Sequence, residues 1–85
     1  MEIEYLNEED LFKIIGQNIK YYRGLYSLNK QKMTQERLAE LIGVSTALIG
    51  NLESEKISQG ISVPTLYKIS LLLEVPIDEL CKKRK

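Results

Sequence analysis

The chain contains no histidine, no tryptophan, one cysteine (Cys81) and two prolines, Pro64 and Pro76. Each shortage removes a class of protein. With no His and a single Cys, a structural zinc site lacks its ligands. One thiol cannot close an internal disulfide, so a reducing cytosol is the expected setting. The commonest general base is absent. No nucleophile–base set, glycine-rich phosphate loop or carboxylate pair with an obvious shared site stands out, so the chain reads as a non-enzyme with no cofactor. No run approaches the ~20 apolar residues of a membrane span. Glu2, Glu4, Glu8, Glu9 and Asp10 occupy the N-terminus, where a signal peptide would be basic and apolar.

What is present fits one small ordered domain. The 85 residues are 44% apolar, near the size at which a single core is only just sufficient. Net charge is zero, which argues against a phosphate-binding surface until its distribution is followed. Residues 1–10 hold five acids and no base. Residues 11–37 hold six bases (Lys13, Lys20, Arg23, Lys30, Lys32, Arg37) against Glu36 alone. Four of the remaining bases form the Lys82–Lys85 tail. Beyond the acidic arm the domain carries a net +5. The neutrality belongs to the arm.

Residues 34–53 are the most informative. Leu38, Ala39 and Ile42 make one apolar face of a short helix. Gly43 can stop it in the left-handed conformation, and Ser45 can cap a second helix whose inward face is Ile49 and Leu52. That leaves Thr46, Ala47, Gly50 and Asn51 pointing outward, small or amide side chains without charge. Such a face suits the DNA major groove, which admits one helix. The pattern is a helix-turn-helix with the second helix as reader.

Thr34-Gln35, Leu38-Ala39, Gly43-Val44-Ser45, Ile49 and Glu53 resemble the signature of the Xre/Cro-type helix-turn-helix family of phage and bacterial repressors. Upstream, Ile15 through Arg23 resembles the family's first helix. Downstream, Ser62 and Thr65–Ile69 through Leu73–Leu80 resemble its last two, so the likeness covers residues 14–81. It implies that Gln35 contacts phosphate and reader side chains, and that Arg23 and Glu53 form an internal structural ion pair. Two connections are longer than the family's: Arg23 to Gln35, through the added stretch Leu28–Met33, and Glu53 to Ser62. Gly50 departs from the larger residue common there.

The rest of the chain reads as helix. Asn7 caps a first helix running to about Tyr26, with Leu11, Ile15, Ile19, Tyr22 and Tyr26 at helical spacing. Gly16 within it suggests close approach of another helix. A fourth helix starts at the Ser62 cap with Pro64 in its first turn and buries Leu66, Ile69, Leu72 and Leu73. Pro76 opens a short fifth through Cys81, burying Ile77 and Leu80. The expectation is an all-α, five-helix repressor-like domain over residues 11–81, an acidic arm and the start of the first helix over 1–10, and a basic tail over 82–85.

The expected function is sequence-specific binding of double-stranded DNA by a cytoplasmic transcriptional regulator, a repressor acting as a homodimer on a palindromic operator. Thr46 hydrogen-bonds a base or packs its methyl on thymine, Ala47 does only the latter, and Asn51 pairs with adenine. Ser45 and Gly50 complete the reader surface, and Lys30, Lys32 and Lys56 are expected on phosphates. The rival reading is an antitoxin-like or accessory module of the same fold, with the arm and the 28–33 stretch contacting a protein partner.

Overall fold

Four helices begin where a short polar side chain can take a free backbone N–H three residues on. In the computed structural model, which describes residues 2–84, Asn7 Oδ1 accepts from the Asp10 N–H at 2.8 Å and opens α1, Glu8–Asn29. Glu8, Glu9 and Asp10 then lie in the first turn, at the positive end of the helix dipole. Thr34 opens α2, Gln35–Ile42, and Ser45 opens α3, Thr46–Glu53. Ser62 opens α4, Val63–Leu73, which carries Pro64 in its first turn. The single-turn α5, Ile77–Leu80, follows Pro76. The described residues are all helix and connection, as expected, and no helix among them is long and apolar enough to cross a membrane. Met1 and Lys85, at the ends of the acidic arm and basic tail, lie outside the described residues.

Two helices end in the left-handed region. Gly43 does so at φ 77°, and its N–H reaches Ala39 O at 2.9 Å. Glu74 does so at φ 60°, where a side chain is disfavoured. Neighbours hold it there: Val75 N–H donates to Ser70 O at 3.0 Å, and Ser70 Oγ donates to Val75 O at 2.6 Å.

One core joins the five helices: Ile15 and Ile19 of α1, Leu38, Ala39 and Ile42 of α2, Ile49 and Leu52 of α3, Leu66, Ile69 and Leu73 of α4, and Leu80 of α5. Gly16 sits where α1 crosses α3. A Cβ built there would lie 1.7 Å from the carbonyl oxygen of Leu52. Close approach is the return for a residue that weakens the helix.

Three sequence expectations change. α1 runs to Asn29, so the first two residues of the Leu28–Met33 stretch are helix rather than loop. The stretch is closed by Met33, which is fully buried; its N–H donates to Ser27 Oγ at 2.8 Å and its carbonyl accepts from Arg23 Nη1 at 3.1 Å. Ile77 is exposed rather than buried, because a one-turn helix can turn only one residue, Leu80, fully inward. Leu72 is only partly buried, at the edge of the core.

Asn18 was not singled out, yet it is buried on the inward face of α1. Its Nδ2 donates to Leu80 O at 2.8 Å and Lys82 O at 2.7 Å, and its Oδ1 accepts from Arg84 Nε at 2.9 Å. Those carbonyls are the free acceptors at the end of α5. Arg84 also stacks over Tyr21, 4.0 Å from the ring centre. The start of the basic tail is therefore strapped to α1. Asn18→Leu removes all of these bonds and is expected to lower the melting temperature, with lost amide protection first in residues 80–84 by hydrogen exchange. Beside the strap, burial and then Asp78 push the Cys81 thiol up, which leaves it protonated near neutral pH.

Candidate nucleic-acid interface

α3 buries Ile49, Leu52 and Glu53 and leaves Thr46 and Ala47 exposed at its first turn. The buried carboxylate organises what surrounds this helix. Arg23 of α1 grips Glu53 with two parallel bonds, Nε to Oε2 at 2.8 Å and Nη2 to Oε1 at 2.7 Å. The fork geometry of guanidinium and carboxylate favours this pairing over a single contact. Its bond to Glu53 outweighs partial burial and raises the Arg23 pKa above its ordinary value. Gln35 of α2 adds a third bond, Nε2 to Glu53 Oε1 at 3.0 Å. On the backbone side, Gln17 Nε2 reaches Glu53 O at 3.3 Å. One carboxylate thus fastens the end of α3 to both α1 and α2.

The residues expected at the interface fall into three groups. Thr46 and Ala47 face solvent, and Ser45 Oγ caps Leu48 N–H at 3.1 Å beside them. Gly50 and Asn51 are half-buried on either flank. Gly50 faces the Gln35 side chain, where an added Cβ would make only an ordinary 3.6 Å contact with Oε1, so space alone does not require glycine. Asn51 Nδ2 points to Gln59 Oε1 at 3.5 Å, and Gln59 in turn donates to Gly60 O at 3.0 Å. Gln59 was missed because it lies in an irregular connection without a hydrophobic period. An amide close after the reader helix was its only sequence signal.

The lysines separate. Lys32 and Lys56 are exposed, and no ion pair engages either among the described residues. Lys30 is held elsewhere: it pairs with Glu74 at the α4–α5 junction and lies over the Tyr26 ring, 5.6 Å from its centre. The charge expected on phosphate is thus engaged within the domain itself.

A short helix, a left-handed glycine turn, and a second short helix locked from behind with small residues outward define a helix-turn-helix domain. The helix-turn-helix family model matches residues 26–80, well over half of the chain, and the protein belongs to this Xre/Cro-like family of DNA-binding regulators. No curated protein matches the chain. The matched span begins after Arg23, so the ion pair reaches outside it to fix the reader helix.

Proposed function

We propose that the protein is a sequence-specific transcriptional repressor that binds double-stranded DNA as a homodimer on a palindromic operator. The reading rests above all on α3: its back is fixed by the Glu53 bonds while Thr46 and Ala47 are open at its N-terminal end. A rigid helix presenting short side chains at its first turn suits base-edge contact in the major groove. In this scheme Thr46 and Ala47 meet bases, Asn51 pairs with adenine through the amide edge that Gln59 does not use, and Gln35, Ser45, Lys32 and Lys56 meet phosphate. Gly50 lets the backbone approach. Occupying the operator excludes polymerase sterically.

Two variants test it on selected operator and random duplex. Asn51→Ala should weaken operator binding by ~1–3 kcal/mol and leave random-duplex binding nearly unchanged. Equal losses on both would remove the readout role. Replacing Lys32 and Lys56 together with Gln should weaken binding to every sequence alike and reduce the slope of log affinity against log salt by ~1–2. The competing reading, a protein-interaction module, draws on the exposed Ile3, Tyr5 and Leu6 of the acidic arm. A wild-type affinity for duplex that is weak and insensitive to salt would favour it.

A further inference from the structure

The strapped tail encloses a hollow against α1. Its volume of about 400 Å³ falls within the range of small-ligand sites. Lys13, Ile14, Gln17 and Asn18 line it from one face of α1, and Lys83 and Arg84 close it from the tail. Three of these six residues are cations and none is an acid, yet the wall is mostly apolar. Like charges repel one another, so gathering them around an apolar floor costs energy that an opposite charge would return. Lys13 does pair with Glu9 at 3.5 Å, but both side chains are well exposed, where such a pair is worth little.

Arg84 is the fixed member of the group. The buried Asn18 holds its Nε at 2.9 Å, and the Tyr21 ring lies under its guanidinium. Among the described residues nothing takes its two Nη groups. A guanidinium held from one side with its fork open is set for paired bonds to an oxyanion. Lys83 is exposed, and no ion pair engages it among the described residues. One fork and two ammonium groups suit a dianion better than a single carboxylate, and a phosphate monoester carries nearly two charges at neutral pH. A neighbouring hollow, also lined by Arg84, differs: there Lys82 is committed to Asp78 and Glu79, each at 3.3 Å.

We infer that the hollow between α1 and the tail binds a small phosphate monoester with an apolar body. Arg84, Lys83 and Lys13 take the phosphate, and Ile14 and the lysine stems take the body. The inference does not depend on the operator reading. Gln17 joins the two sites, because it lines the hollow and its Nε2 donates to Glu53 O at the end of α3.

The test titrates the full chain, without DNA, with phenyl phosphate and follows its amide chemical shifts. Saturable shifts are expected in residues 13–18 and 82–84, with weaker binding of inorganic phosphate, which has no body to place on the wall. Lys83→Gln should weaken phenyl phosphate by about tenfold, as loss of one charge-assisted bond does. Its circular dichroism should not change, because Lys83 is exposed. Lys20→Gln removes the same charge from α1 outside the hollow and should leave the affinity within about twofold. Shifts that are absent at millimolar phenyl phosphate, or spread over every lysine-bearing surface, overturn the inference. Equal weakening by the two substitutions does the same. Inorganic phosphate bound as tightly as phenyl phosphate overturns the apolar body. None of these outcomes bears on DNA binding, which its own salt dependence judges.

Discussion

Gly16→Ala is expected to unfold the domain or leave it barely folded at room temperature. The added Cβ would stand 1.7 Å from the Leu52 carbonyl oxygen and 2.8 Å from its carbonyl carbon. Both are backbone atoms of α3, so no rotamer change relieves the clash; the reader helix itself must move. Overpacking a core typically costs about 1–3 kcal/mol, and a backbone obstacle this close belongs at or beyond the upper end. For a chain of this size, each kcal/mol lowers the melting temperature by ~4–8 °C. Gly24→Ala is the internal control. It lies on the same helix, exposed, with nothing within 4 Å of its new Cβ. There the change should stabilise by about 0.5–1 kcal/mol, because alanine loses less conformational freedom in a helix. Thermal melts of the two variants should move in opposite directions. A Gly16→Ala protein that melts like wild type would mean that α1 and α3 do not cross at this point.

What could be read from the sequence was decided within a few residues. Each cap depends on an oxygen and an N–H three positions apart, and Asn7, Thr34, Ser45 and Ser62 were legible for that reason. The left-handed Gly43 was legible because glycine alone takes that conformation freely. The end of α4 was not. Glu74 adopts the same conformation against its own preference, held by Ser70 and Val75 bonds that become visible only once the chain has turned. The pairing of Lys30 was hidden for a related reason: it neighbours the motif in sequence, but its partner is 44 residues away. Asn18 and Gln59 show the limit from the polar side. An amide carries no hydrophobic period, so neither the strap on the tail nor the support of Asn51 leaves a pattern to follow.

The pairing of Arg23 with Glu53 was expected from the family resemblance alone, and the structure adds an asymmetry between its two halves. The Glu53 side chain is 2% exposed and that of Arg23 18%. Arg23→Ala strands the buried carboxylate with the Gln35 amide as its remaining side-chain donor, and also leaves the Met33 carbonyl, which closes the α1–α2 connection, with Ser27 Oγ alone at 3.3 Å. Breaking one side of a buried pair costs about 3–5 kcal/mol. Glu53→Ala should be the milder single change, because the guanidinium it releases is already partly open and can turn to water. Arg23→Ala combined with Glu53→Ala should be less destabilising than the sum of the two single changes, since no charge is left without a partner. Denaturant melts of the four proteins give the coupling directly. If the double variant equals the sum, the pair contributes no mutual energy and serves only to orient α3. In that case stability would be additive while operator affinity in the Glu53 variants still fell, because Gln35 and the reader helix would have lost their shared anchor.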